Sequence, residues 1–209
     1  MGLFMISNIV FDMGGVLIRW NPEDMLRQFD LTPEEMALLN QELFKSVEWI
    51  QQDRGILSAQ DVVDAICPRL PETLWEPVKT LVLGWHQRFL SPMPNMADLV
   101  RELKENGYHI YLLSNASLAL RSYFPRIPGS ECFEGLLVSA EEKLLKPSHE
   151  IYERLYDKFG LNPAECWFID DSPVNVEGAI CTGMQGSVFY GDVARLRREL
   201  NRAGIRCRE

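Results

Sequence analysis

The chain offers little cysteine chemistry: its five cysteines (Cys67, Cys132, Cys166, Cys181, Cys207) include no CxxC pair and none at metal-ligand spacing. An odd, scattered set in 209 residues reads as reduced thiols in a reducing compartment and excludes a disulfide scaffold. Histidine is scarcer still, at three, and neither His109 nor His149 has a metal-binding companion nearby in sequence. No apolar run approaches the roughly 18–20 residues that span a bilayer, so no membrane partner is expected. The start, MGLFMISNIVFDMGG, lacks the basic segment and small-residue cleavage site of a signal peptide. It carries the Gly2 of a myristoylation signal but has Ile6 where Ser or Thr is wanted. No repeat or low-complexity tract is present. Positive charge is in deficit, with 21 Lys plus Arg against 30 Asp plus Glu and a net charge of −9, so a nucleic-acid partner is not expected. The exclusions point to a soluble, cytoplasmic protein with a small-molecule partner, and leave monomer and dimer equally open.

What is present is a core. Hydrophobic residues make up 46% of the chain, enough for one ordinary domain or one domain carrying an insertion. Short β-rich apolar runs occur at Asn8–Phe11, His109–Leu113, Leu136–Val138, Cys166–Ile169 and Ser187–Tyr190, as expected of parallel strands covered on both faces. Helical patterns lie between them and end on glycine: Met96–Asn106 before Gly107, Ser148–Phe159 before Gly160, Asn175–Thr182 before Gly183, and Val193–Ala203 before Gly204. Such alternation predicts an α/β fold with a doubly wound, Rossmann-like parallel sheet. Arg195, Arg197, Arg198, Arg202, Arg206 and Arg208 make the C-terminal end locally basic, which reads as a solvated helix face.

From about Trp20 to Leu90 the alternation stops and only helical patterns remain. Thr32 with Glu35, and more weakly Ser58 with Asp61, mark helix starts by capping boxes. The expected division is a core of residues 1–18 and 91–209 and an all-helical cap of residues 19–90. A block inserted after the first strand stands over the carboxyl ends of the strands, where such sheets bind ligands, and is placed to act as a lid. Trp49, Trp75 and Trp85, with Phe44 and Phe89, are expected to form its interior, some of them facing the cleft.

Four segments at strand ends carry chemistry. In Phe11-Asp12-Met13-Gly14-Gly15, a carboxylate leaves an apolar strand just before a turn that approaches a ligand closely. Ser114-Asn115 offers a hydroxyl and an amide to an oxyanion. Lys146-Pro147 places a cation ahead of a helix. Asp170-Asp171-Ser172 sets two adjacent carboxylates that repel each other unless a cation neutralises them, and hard oxygen ligands point to Mg²⁺. Singly, each reads as a turn or a cap; a doubly wound sheet gathers all four at one edge.

The segments FDMGGVL, LLSNAS, LLKPSHEIY and FIDDSPVNVEGAICTGM, with the helical insertion, resemble the haloacid dehalogenase superfamily in its helical-cap phosphatase branch, near sugar-phosphatases of the α-glucose-1-phosphate type. The resemblance implies that Asp12 is the nucleophile, taking the phosphoryl group as an aspartyl-phosphate. It implies Mg²⁺ held by Asp12, the Gly14 main-chain oxygen, Asp171 and Asp170. It implies that Ser114, Asn115 and Lys146 hold the phosphoryl oxygens, with Lys146 also orienting the aspartates. The expected substrate is a small phosphorylated metabolite, a sugar phosphate by that likeness.

One position departs from the family's pattern. Its phosphatases carry a second Asp two residues after the nucleophile, as general acid and base; here that residue is Gly14. Such a group contributes about 10²–10⁴-fold, so its loss weakens catalysis without excluding it. A good leaving group such as an anomeric oxygen would compensate, or a cap residue would supply the proton, with His86 and Glu48 the first candidates. The remaining alternatives are a phosphometabolite-binding protein without catalysis and a metal-independent 2-haloacid dehalogenase, for which the Asp170-Asp171 pair has no use.

Overall fold

The structure is a computed structural model and describes residues 5–208; the first four residues, part of the segment in which neither a signal peptide nor a myristoylation signal is expected, lie outside the described residues. Five strands, β1 (Asn8–Phe11), β2 (His109–Ser114), β3 (Gly135–Val138), β4 (Cys166–Asp170) and β5 (Gln185–Val188), form one sheet in the order β3-β2-β1-β4-β5. Every pairing is parallel. The chain runs outward from β1 to β3 and then returns to the far side of β1 for β4, so the switch point lies between β1 and β4.

Period-two alternation sorts the side chains between two cores. Ile9, Phe11, Ile110, Leu112 and Ile169 face one, where α6 (Met96–Glu105) packs through Leu99, Val100 and Leu103 and α11 (Val193–Arg202) through Leu196 and Leu200. Val10, Tyr111, Leu113 and Phe168 face the other, covered by Ile151, Tyr152 and Leu155 of α9 (His149–Phe159) and Ala179 of α10 (Pro173–Cys181). The four expected stop glycines all adopt positive φ, from 65° at Gly160 to 96° at Gly183. The arginines of the C-terminal end are taken up locally: Arg195 pairs with Glu199 at 2.9 Å and Arg197 with Glu102 at 2.6 Å, while Arg206 and Arg208 lie beyond the helix.

Between β1 and α6 the chain is helical: α1 (Pro22–Leu26), α2 (Pro33–Leu39), α3 (Val47–Asp53), α4 (Ala59–Ile66) and α5 (Trp75–Arg88), with a π-turn segment at Asn40–Phe44. Both capping boxes form, at Thr32–Glu35 and Ser58–Asp61. The helical pattern from Thr32 to Gly55 is broken into α2, the π segment and α3, because Ser46 caps α3 by accepting from the Trp49 N–H. The block shares one continuous apolar cluster with the sheet face that carries Ile9 and Phe11. Its two connections to the sheet run side by side, Arg19 N–H donating to Ser91 O at 2.8 Å and Met93 N–H to Leu17 O at 2.9 Å. Two short helices, α7 (Leu120–Tyr123) and α8 (Ser139–Glu142), complete the wall facing the block. No helix among the described residues is long and apolar enough to cross a membrane.

Candidate active site

Register brings the carboxyl ends of the central strands to one level. Phe11 stands opposite Leu112 on one side and Ile169 on the other, so Asp12, Leu113 and Asp170 follow in a row across the sheet. The Lys146 ammonium ties them together. It lies 2.8 Å from Asp12 Oδ1 and 2.6 Å from Asp170 Oδ2, and donates to Leu113 O at 3.0 Å. Lys146 is itself positioned by Asn115, whose amide donates to Lys146 O at 3.0 Å and accepts from Lys146 N–H at 2.9 Å. Asn115 still lines the cavity in front of Asp12, but its side chain spends an N–H and its oxygen on that clasp. Ser114, buried at the end of β2, is not among the residues lining the cavity.

Asp170 is fully buried and its carboxylate is saturated, accepting from the Ser172 N–H at 2.8 Å, from the Asn175 amide and from Lys146. Asp171 is exposed toward the cavity. One carboxylate oxygen from each of Asp12, Asp170 and Asp171 lies within 4.8 Å of the others. Three carboxylates and one ammonium leave two excess negative charges if all are ionised. Burial pushes the Asp12 carboxyl up to about 7; Lys146 opposes this, and Asp170 and Asp171 reinforce it. Burial, then Asp170, also raises Asp171. Lys146 is held above its ordinary value: burial works to lower it, and the two aspartates outweigh burial. A hard divalent cation fits this donor set, because it restores neutrality and meets only oxygen ligands. Gly15 shapes the cradle. It has φ +73°, and a Cβ there would stand 2.2 Å from Asp171 Oδ2.

In front of the aspartates lies a cavity of about 350 Å³ between the sheet edge and the helical block. The block contributes Trp49, Gln52, Asp53, Val82, Trp85 and His86, and the α7 side contributes Ser117, Leu118 and Tyr123. Trp20 joins them, its ring 4.9 Å from that of Trp85 and 6.0 Å from that of Trp49. Among the described residues no Lys or Arg lines it, so an anionic group that reached Asp12 would meet no surface cation from them. A Cβ on Gly14 would make ordinary contact with Trp20 at 3.7 Å.

The two block residues first considered as proton donors part company. Glu48 is bound by Arg69 at 2.7 Å, is held below its usual range by that guanidinium, and lies off the cavity. His86 lines the cavity, stacked on Tyr123 at 4.8 Å, and burial followed by Arg126 lowers its pKa, favouring the neutral ring. The residue that sequence reasoning passed over is Asp53. It is half-buried, lines the same cavity as Asp12, and burial pushes its carboxyl up to about 7, with Trp49 opposing and Asp12 adding to the rise. One signal was available: an Asp as the last residue of a helix sits at the negative end of the dipole, where a charged carboxylate is disfavoured.

The chain belongs to the haloacid dehalogenase-like hydrolases, whose family profile matches residues 6–183. It is 29% identical to sesquiterpene phosphatase astK of Aspergillus oryzae over 180 residues, covering 85% of this chain and 86% of that one. It is 27% identical to D-ribitol-5-phosphate phosphatase of Bacteroides thetaiotaomicron over 183 residues, covering 82% and 86% respectively. A HAD family enzyme of Bacteroides thetaiotaomicron, solved as a magnesium complex, superposes with a TM-score of 0.69 at 25% identity, covering 92% of this chain and 98% of that one.

Proposed function

We propose that the protein is a Mg²⁺-dependent phosphatase that transfers the phosphoryl group of a small phosphate monoester to Asp12 and then to water. The observation that carries this is the convergence of Asp12, Asp170 and Asp171 around space for a cation, with Lys146 buried behind them. The core of residues 1–18 and 91–209 supplies this edge, and the block of residues 19–90 roofs it.

When bound, the metal would be held by Asp12, Asp171, the Gly14 carbonyl and, directly or through its neighbours, Asp170; it supplies the positive charge that lets a phosphate dianion approach a carboxylate. The chain does the rest. Lys146 fixes Asp12 at one oxygen and neutralises it in part, so that the carboxylate faces the cavity in a single orientation for in-line attack. Asp170 holds Lys146, and Asn115 holds the backbone that carries it. Ser114 would lend support from the end of β2. The indoles of Trp20, Trp49 and Trp85 form part of the wall in front of the reacting centre.

The expected sugar meets a mixed lining. Gln52, His86 and Ser117 offer hydrogen bonds, but Trp20, Trp49, Trp85, Val82, Leu83 and Leu118 provide more of the wall. Leu83 and Leu118 are also exposed at 46% and 60%, so apolar side chains remain open to a bound molecule. This wall favours a leaving group with an apolar or planar body over a bare polyol. Relatives named for a sesquiterpene and for ribitol phosphate bracket that range.

The test is phosphate release from aryl, isoprenoid and sugar phosphates, with Mg²⁺ and with EDTA, in wild type and Asp12→Asn. Metal-dependent release lost in the variant is expected. Halide release from 2-chloropropionate without metal would transfer the chain to dehalogenation, and phosphate binding without turnover on any ester would make it a binding protein.

A further inference from the structure

We propose that Asp53, carried by the helical block, is the general acid and base of the reaction, taking the part that the residue at position 14 cannot play; this rests on the phosphatase reading above. Position 14 is glycine, so the nucleophile loop has no proton donor at that place. Among the side chains lining the cavity, the carboxylates are Asp12, Asp171 and Asp53. The first two belong to the cation cluster, and Asp53, at the end of α3 in the helical block, is outside it.

Its placement is fixed from both sides. Asp53 ends α3, and its main-chain oxygen accepts from Ser139 Oγ of the sheet-edge wall. Two residues on, Gly55 turns with φ +70° so close to the wall that a Cβ would stand 2.2 Å from Ala140 O. The Gly55 carbonyl also accepts from Lys143 Nζ. The turn is therefore clamped to the sheet half, and Asp53 lines the same cavity as Asp12, with the Trp49 indole beside it. Burial pushes this carboxyl up to about 7, and the helix terminus acts in the same direction, so a substantial share of it carries the proton an acid needs before turnover. Glu48 is held ionised by Arg69 off the cavity, and His86 is disposed to be neutral.

The proton balance closes. An Asp12 oxygen attacks phosphorus, the phosphorus–oxygen bond to the leaving group breaks, and Asp53 gives its proton to the departing oxygen, releasing an alcohol. Water then attacks the aspartyl-phosphate and Asp53 takes a proton from it; the Asp12 oxygen–phosphorus bond breaks and phosphate leaves. Both carboxyls return to their starting states.

The experiment compares wild type, Asp53→Asn and Asp53→Glu on p-nitrophenyl phosphate and on an alkyl phosphate, with stopped-flow detection of nitrophenol and mass analysis of quenched protein. Asn matches Asp in size and is neutral like the protonated acid, so the fold is retained, as a thermal melt will verify. Nitrophenolate leaves without help, so Asp53→Asn keeps the first step on the aryl ester. It then stalls with a nitrophenol burst and a phosphorylated Asp12, because no base activates water. On the alkyl ester the same variant falls about 10²–10⁴-fold, and Asp53→Glu recovers part of the loss. An equal loss on both esters, with no burst and no phosphorylated protein, overturns the role. Failure of wild type itself to turn over either ester or to become phosphorylated on Asp12 overturns the phosphatase reading instead.

Discussion

Replacing Gly15 with Ala separates metal binding from folding. Gly15 has φ +73°, which costs an L-residue about 1–2 kcal/mol. A chain of this size loses about 2–4 °C in Tm per kcal/mol, so strain alone predicts a fall of about 2–8 °C. Gly160 supplies the control: its φ is +65° and a Cβ there meets nothing within 4 Å, so Gly160→Ala carries the same strain and no clash. At Gly15 the new Cβ would stand 2.2 Å from Asp171 Oδ2 and 2.5 Å from its Cγ, so the carboxylate must swing away. Asp171 is exposed and can move without opening the core, so the two variants should melt within a few degrees of each other. Their metal binding should not match. Displacing a ligand from its required place costs about 10–100-fold in affinity, by analogy with disturbing the groups that orient ligands. Isothermal titration with Mg²⁺ measures this, alongside thermal melts in EDTA. Equal Mg²⁺ affinity in Gly15→Ala and Gly160→Ala would show that Asp171 does not serve the cation, and the cluster would lose its explanation.

Two further outcomes follow from the same electrostatics. Saturating Mg²⁺, at about a hundred times its dissociation constant, should stabilise the fold by about 2.7 kcal/mol and raise Tm by about 5–10 °C, reversibly with EDTA; a Tm indifferent to Mg²⁺ would speak against the metal site. Asp53 is raised from 3.8 to about 7 by burial, so the folded chain holds a proton that the unfolded chain has released. That stability is fully present below pH about 4 and is lost as pH rises through about 7, with Asp12 and Tyr123 the titratable groups facing it. Melts at pH 5 to 8 should therefore show wild type losing ground to Asp53→Asn, and parallel curves would show that the carboxyl is not displaced from its ordinary range.

The sheet was legible because buried parallel strands announce themselves as short apolar runs, and four of the five fall within one residue of their expected ends. β5 is displaced, at Gln185–Val188 instead of Ser187–Tyr190, because Gly186 carries no hydrophobic signal. Glycine is needed there: a Cβ would lie 2.7 Å from Phe168 O. Within the helical block, periodicity revealed helices but not their interruptions. The π segment at Asn40–Phe44 and the non-helical Gly84 (φ −156°) inside α5 leave the apolar period unchanged enough that local pattern did not reveal them. The same divide runs through the site. Asp12, Asp170 and Asp171 stand at strand ends, where register converts sequence position into spatial position; Lys146, expected at a strand end, instead lies in the turn beyond β3 and α8, and Asn115 holds its backbone at the site. Asp53 stands on an inserted helix whose placement depends on tertiary contacts, so sequence order alone could not bring it to Asp12.

That difference has a mechanistic consequence. An acid on the nucleophile loop accompanies Asp12 whether the helical block is docked or not, whereas an acid on the block is present only when the block is seated. Seating at this point depends on Gly55, because a residue with φ +70° and a Cβ 2.2 Å from Ala140 O cannot be accommodated without moving the turn. Gly55→Ala should therefore reproduce Asp53→Asn without altering any residue that lines the cavity with a carboxylate: turnover of an alkyl phosphate falls while phosphorylation of Asp12 by p-nitrophenyl phosphate persists. The strain of the left-handed residue, about 1–2 kcal/mol, is too small to unfold a domain of ordinary stability, so the effect reads placement and not collapse. Gly55→Ala activity that falls equally on aryl and alkyl esters would mean that the turn serves the fold alone. A variant that keeps full alkyl-phosphate turnover would mean that the clamp against Ala140 is not what delivers the proton.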